Sequence, residues 1–243
     1  MRLTVLGNNG PYAGPGSACS GYVIEGENTI VLLDLGNGVL SRFLRFYSLK
    51  DLSAVFLTHL HSDHMSDVMI LRYAIDIKLG RNELTYPLKI YAPSEPFEEF
   101  NKLFYKNSVI AEGIDEGKEI FLGSLKFKFM PMIHSYKNYA ISVEEDEKRL
   151  VYTGDTVFNE NLIEFAKNAD ILICDANTLE KYRPQETNHI SAKEAAMVAK
   201  SAGVKNLLLT HLWPEFSHEE YLNEARSEFE NSYIAEELKS WDI

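Results

Sequence analysis

Apolar and polar positions along the chain follow two periods, and the switches between them mark out its elements. Short runs with strand character recur at Arg2 to Leu6, Gly21 to Glu25, Ile30 to Asp34, Ala54 to Leu57, Leu88 to Tyr91, Leu125 to Met130, Tyr139 to Val143, Leu150 to Thr153, Asp170 to Cys174 and Asn206 to Thr210. Between them lie stretches with helical spacing. Val39 to Tyr47 is one, and Val68, Met69, Leu71, Ile75 and Leu79 outline another. Ser94 reads as the N-cap of a helix to Tyr105, and Asn159 to Asn168 reads as a helix. Ser191 with Glu194 forms a capping box before Ala192 to Ala202, and Ser217 with Glu220 opens a C-terminal helical region through Leu238. The charged linker Glu144 to Arg149 predicts a hairpin turn, and the Gly- and Pro-rich segment Asn8 to Ser20 a long loop of the kind that lines sites. Strands and helices recur in both halves without any repeat of 20 to 50 residues, so the pattern is a coarse duplication and not a solenoid.

A chain of 243 residues, 45% hydrophobic, can build one large core, so a single domain over 1–243 is the expectation. The first residues already read as strand and turn, with no apolar leader segment, and no apolar run approaches the roughly 20 residues that cross a bilayer. A soluble, cytoplasmic protein is expected, and no membrane partner. Cys19 and Cys174 alone imply neither a disulfide framework nor a cysteine zinc knuckle, and both are expected to be small buried side chains. With 36 acidic against 24 basic residues the net charge is -12, which repels a polyanion over most of the surface and disfavours nucleic acid as partner.

The chemistry gathers at strand ends. Thr58-His59-Leu60-His61-Ser62-Asp63-His64 places three imidazoles and a carboxylate directly after a buried strand, where a divalent metal turns costly crowding into bonding. His134, Asp155 and His211 also stand just past strands. Seven such side chains exceed what one ion takes, about four or five, and suit two ions sharing a carboxylate, for which Asp155 after Gly154 is the candidate. Asp34 ends a strand either as a plain turn residue or as an outer partner of the metal site, and Asp175 has the same two readings. His189 stands two residues before a helix cap, where free N–H groups and the macrodipole favour an anion. His218 is expected to be no more than the first residue of a surface helix.

His59-x-His61-x-Asp63-His64, followed by His134, Asp155 and His211 in that order, resembles the signature of the metallo-β-lactamase superfamily. The resemblance runs over most of the chain and implies an α+β four-layer αββα sandwich. It also implies a first metal on His59, His61 and His134, a second on Asp63, His64 and His211, and Asp155 on both. Zinc is the expected metal, with manganese or iron as alternatives. Leu33-Asp34-Leu35-Gly36, Tyr152-Thr153-Gly154-Asp155-Thr156, Leu209-Thr210-His211 and His189-Ile190-Ser191 resemble the ribonuclease Z-like phosphodiesterase branch, though Ile190 departs from that branch's His-Ser-Thr motif. Family similarity also suggests a homodimer.

The tRNA-processing members carry a long arm in the second half, and the stretch from Asp155 to His189 is too short to hold one. The expected function is therefore hydrolysis of a small or nucleotide-type phosphodiester. Asp63 would orient the attacking hydroxide, and His189 would stabilise the phosphoryl oxygens or protonate the departing alkoxide. Lys181, Arg183, Tyr136 and Lys137 are candidates for holding substrate, although an exposed loop position explains each as well. The alternatives are tRNA 3'-end processing, opening of a thioester, lactone or lactam, a di-iron redox protein and a metal-bound binding module.

Overall fold

The computed structural model describes every residue except Gln185. Seven strands form a first sheet: β1 (Arg2–Gly7), β2 (Gly21–Gly26), β3 (Thr29–Leu33), β4 (Leu52–Phe56), β5 (Leu88–Ala92), β6 (Val109–Gly113) and the C-terminal β14 (Ser240–Asp242), in the order β14-β1-β2-β3-β4-β5-β6. A second sheet holds β7 (Glu119–Leu122), β8 (Leu125–Met132), β9 (Asn138–Glu145), β10 (Lys148–Tyr152), β11 (Ile171–Asp175), β12 (Asn206–Thr210) and β13 (Ser232–Ile234), in the order β13-β12-β11-β10-β9-β8-β7. Each sheet is antiparallel in its first part and parallel from β3 or β10 onward, which is the duplication suggested by the sequence.

In the central parallel strands the runs Ile30 to Leu33, Ala54 to Phe56, Ile171 to Cys174 and Leu207 to Leu209 are apolar without a break because both of their faces are covered. In β4, Ala54 and Phe56 point between the sheets, where the Phe56 ring lies 4.1 Å from that of Phe127 at an interplanar angle of 15°. Val55 and Leu57 point the other way, onto a layer containing α1 (Val39–Phe43) and α3 (Val68–Gly80). Across the molecule Leu172 and Cys174 of β11 pack with α5 (Glu160–Ala166) and α6 (Ala192–Ala202). The result is the αββα sandwich implied by the family signature. No helix among the described residues is long and apolar enough to cross a membrane.

Several predicted elements need correction. The helix expected from Ser94 to Tyr105 is α4 (Phe97–Asn101), with Pro96 and not Ser94 at its start, because a proline biases the residue before it away from helical geometry. Val39 to Tyr47 is helical only as far as Phe43. The C-terminal region, expected to be helical to Leu238, is α7 (His218–Arg226) followed by β13 and β14. Those last two strands pair with β12 and β1, and Leu238 N–H donates to Val5 O across 2.7 Å, so the end of the chain ties the two sheets together.

Candidate metal centre

The C-terminal ends of the strands open onto one edge of the sandwich, the place where ligands bind in open sheets. His59 follows β4, His134 follows β8, Asp155 follows β10 and His211 follows β12, while Asp63 and His64 begin the short helix α2 (Ser62–Met65). Gly154 has φ of +58°, and a Cβ there would lie 2.8 Å from both Asn138 Oδ1 and Thr58 Cβ, so glycine alone allows the backbone to present Asp155. Asn138 Nδ2 donates to the Asp155 carbonyl from the neighbouring strand. Gly10, in the predicted long loop, presses against His211: a Cβ there would stand 2.0 Å from His211 Nε2.

Three donor groups result among the described residues; two of them together contain all seven predicted ligands, and the third joins Asp155 and His211 to Asp175 and His189. In the first, His61 Nδ1 lies 3.0 Å from His59 Nε2 and 3.1 Å from His134 Nε2, and Asp155 Oδ2 lies 3.5 and 3.7 Å from the latter two atoms. In the second, His211 Nε2 lies 3.0 Å from Asp63 Oδ2, and His64 Nε2 lies 3.5 Å from that same oxygen. Asp155 turns its other oxygen, Oδ1, to this set, 3.2 Å from His64 Nε2 and 3.4 Å from His211 Nε2. One carboxylate thus faces both groups. Donors about 2.0 to 2.1 Å from a shared tetrahedral ion would be about 3.3 Å apart, so each set has the spacing that could hold one divalent ion.

The outer contacts fix which ring nitrogens point inward. Thr58 Oγ1 gives its hydrogen to Asp34 Oδ2 (2.9 Å) and therefore accepts from His59 Nδ1 (3.1 Å), leaving the His59 Nε2 lone pair aimed at the centre. His64 Nδ1 donates to Asp34 Oδ2 at 2.7 Å, and His134 Nδ1 donates to Asn188 O at 3.1 Å. The lone pairs of His59 Nε2 and His134 Nε2 therefore converge on His61 Nδ1 in the first set, and a single proton on that atom could satisfy only one of them, whereas a cation among the three would satisfy all. His64 Nε2 and Asp155 Oδ1 are both buried without a hydrogen bond, since their 3.2 Å separation lacks the alignment of one. These orphaned atoms and converging lone pairs fit metal ions.

The protonation states agree. Burial, reinforced by neighbouring imidazoles, holds His59 well below the usual histidine range and His61 down at about 4; burial also lowers His134. Burial opposes charge on His64 and His211 too, but Asp155 with Asp63 and Asp34 outweighs it for His64, which is held well above its usual value. Asp155, Asp175 and Asp63 raise His211 to about 10. Asp155 itself, although buried, is held well below the carboxylate range by His211, His64 and His59. Protons on His64 and His211 thus occupy the place of positive charge when no ion is bound, and an ion entering the second set must displace them.

All seven predicted ligands and His189 come together, and the two strand-end carboxylates left with two readings, Asp34 and Asp175, hydrogen-bond His64 and His189. Asp34, fully buried at φ +56°, accepts from Thr58 N–H (2.8 Å), His64 and the Tyr152 hydroxyl (2.7 Å). Asp175 accepts from His189 Nδ1 at 2.8 Å and lies 3.7 Å from His211 Nδ1. The His189 ring is 5.0 Å from that of His211 and 5.3 Å from that of His134.

The expected open anion site at the start of α6 is corrected. Glu194 N–H is capped by Ser191, Ser191 N–H by Glu194 and Lys193 N–H by Glu224, so His189 owes its position to Asp175 and not to that terminus. Of the four substrate-holding candidates, Tyr136 packs 4.1 Å from the His61 ring. Lys181 is paired with Glu220, Arg183 with Glu194, and Lys137 with Glu95 and Asp115. Sequence reading missed Asn177, whose Nδ2 donates to Gly10 O (3.2 Å) and His211 O (3.0 Å) and binds the long loop to the histidine. Nothing in its local sequence marks it.

A family model described as "Beta-lactamase superfamily domain" matches residues 29–212. The chain is similar to the probable metallo-hydrolase YhfI of Bacillus subtilis, 33% identical over 94% of both proteins. The YhfI crystal structure superimposes with a TM-score of 0.95, covering 99% of this chain and 98% of that one. Ribonuclease Z of Thermoplasma volcanium is 25% identical across 100% of this chain and 97% of its own. That alignment runs over 299 positions against 243 residues here, so the archaeal enzyme carries segments that this chain lacks. A diphosphatase of the PhnP family shares the fold at a TM-score of 0.81 and 19% identity, covering 100% of this chain and 97% of that one. With a family match spanning most of its length, a relative that covers nearly all of it and a strand-end cluster of His and Asp donors, the chain belongs to the metallo-β-lactamase superfamily.

Proposed function

We propose that this protein is a two-metal phosphodiesterase acting on a small or nucleotide-type phosphodiester. His59, His61 and His134 would hold one divalent ion, Asp63, His64 and His211 the other, with Asp155 shared. Ions so placed supply an acidified water and neutralise charge on a phosphoryl oxygen.

The observation that carries the reading is the Asp175–His189 pair. Asp175 is buried and fixes His189 through Nδ1 at 2.8 Å, which leaves Nε2 for a ligand beside the rings of His134 and His211. A histidine oriented by a carboxylate is suited to donate a proton to a phosphoryl oxygen or to a departing alkoxide, the step that an unactivated phosphodiester needs most. Asp63, the more exposed of the two carboxylates in the cluster, would accept a hydrogen bond from the attacking water. Two features favour a small substrate over a folded tRNA: the segments absent relative to the archaeal ribonuclease Z, and the net charge of -12.

The test is a panel of bis(p-nitrophenyl) phosphate, an alkyl phosphodiester, a thioester and a lactam, each given to the metal-loaded wild type and His189→Ala. The proposal expects turnover of the phosphodiesters and a loss of about 10²- to 10⁴-fold in kcat on the alkyl ester in the variant, with metal content retained. Faster opening of the thioester or lactam, or loss of the metals in His189→Ala, would overturn it.

A further inference from the structure

His189 lines a cavity of about 320 Å³ that has Tyr182, Phe216 and Trp213 among its walls and Asn177, Thr178, Glu186, Thr187 and Asn188 as its other polar residues. The three rings are close to parallel. Phe216 lies 5.0 Å from Tyr182 at 14° and 5.8 Å from Trp213 at 26°. Tyr182 is 54% exposed and Trp213 40%, a large flat apolar surface to leave in water at the mouth of a site. The wall is also held in place from behind. The buried Tyr221 hydroxyl accepts from Trp213 N–H (3.2 Å) and donates to Asn177 O (3.0 Å), fixing both sides of the cavity to α7.

We propose that this cavity is a base subsite: it takes the planar heteroaromatic ring of a nucleoside while His189 faces the phosphodiester. This rests on the phosphodiesterase reading and narrows its substrate to nucleoside phosphodiesters. The geometry fits one such ring, since the volume lies at the lower end of the ~300 to 1,000 Å³ range of ligand pockets and aromatic walls stack any base through its face. Charge disfavours the main competitor, a second phosphate group. Among the described residues lining the cavity the one carboxylate is Glu186 and there is no lysine or arginine, while the nearby cations Lys181 and Arg183 are paired with Glu220 and Glu194. A neutral ring with N–H groups at its edge meets a carboxylate, amides and hydroxyls there, whereas a phosphate meets the Glu186 carboxylate with no lysine or arginine among the described lining residues to offset it.

Calorimetric titration of the metal-loaded protein compares adenosine 5'-monophosphate with ribose 5-phosphate, which carry the same phosphate and differ by the base. The base should tighten binding about tenfold or more, and the double variant Tyr182→Ser/Trp213→Leu, altering two half-exposed side chains, should bring the ratio to about one. Equal affinities in the wild type, or a ratio that survives in the double variant with its circular dichroism unchanged, would overturn the subsite. The readout needs no turnover, so a protein that hydrolyses phosphodiesters without base preference refutes the subsite alone. One that binds the base yet hydrolyses no phosphodiester refutes the parent reading.

Discussion

Replacing Asp34 with asparagine removes one oxygen and inserts an amide into a fully buried network. Asp34 Oδ2 accepts from His64 Nδ1 at 2.7 Å, from the Tyr152 hydroxyl at 2.7 Å and from Thr58 Oγ1 at 2.9 Å, while Oδ1 accepts from Thr58 N–H at 2.8 Å. The amide oxygen of asparagine can keep the Thr58 N–H bond, but its NH₂ then faces three donors. Losing a charge-assisted bond to His64 costs roughly 1.5 to 3 kcal/mol, and a buried donor left without an acceptor costs about as much again; partial rotation of the Tyr152 hydroxyl offsets some of this. A net loss of about 3 kcal/mol is expected, or roughly 6 to 12 °C in Tm for a chain of this size. The metal effect is more specific. Without the Asp34 acceptor at Nδ1, the neutral His64 would keep its proton on Nε2, the atom that faces Asp155 and Asp63, so the proposed second ion would lose a ligand lone pair. Its affinity should fall about 10- to 100-fold, as is usual for such outer partners. Competition with a chromophoric chelator, alongside thermal melts, measures both quantities. An Asp34→Asn protein that melts lower but binds both ions with unchanged affinity would refute the tautomer argument; unchanged melting would refute the packing argument.

Two further outcomes test the same centre from other directions. Gly10→Ala places a Cβ 2.0 Å from His211 Nε2, so His211 must move and uptake of the second ion, measured by elemental analysis after dialysis, should fall at least tenfold; a full complement of both would contradict the close approach. The two ions should also differ in pH dependence. His59, His61 and His134 are neutral near pH 7, so binding at the first set should be nearly flat above about pH 6, whereas His211 keeps its proton up to about 10 and His64 is raised as well. Each displaced proton strengthens binding by up to about tenfold per pH unit, so affinity at the second set rises from pH 6.5 to 8.5. Calorimetry in buffers of different ionisation enthalpy should detect proton release on the second binding event; parallel slopes for both events would contradict the assignment.

The centre was legible because each donor is announced by its place after an apolar run: His59 after β4, Asp155 after β10, His211 after β12. A strand buried on both faces leaves a continuous hydrophobic signal, and the first polar residue beyond it is then conspicuous. Outer partners leave no such signal. Asp34 and Asp175 were visible only as strand-end acids, and their tasks depend on His64 and His189, 30 and 14 residues away in sequence. Asn177 and Asn138 act through contacts that no local pattern encodes. The missed strands fail for a related reason. Ser232–Ile234 and Ser240–Asp242 are three residues each, too short for a period, and their conformation is set by pairing with β12 and β1. β6 and β7 lie at sheet edges, where one side is exposed and the apolar signal is diluted. The anion site expected at the start of α6 failed differently: the capping box that identified the helix also consumes the amides an anion would use.

The most direct test of the account is anomalous scattering from crystals of the metal-loaded protein. The account predicts two peaks about 3.5 to 4 Å apart, one within reach of His59, His61 and His134 and the other of Asp63, His64 and His211, with Asp155 touching both. A single peak, or peaks away from Asp155, would contradict it.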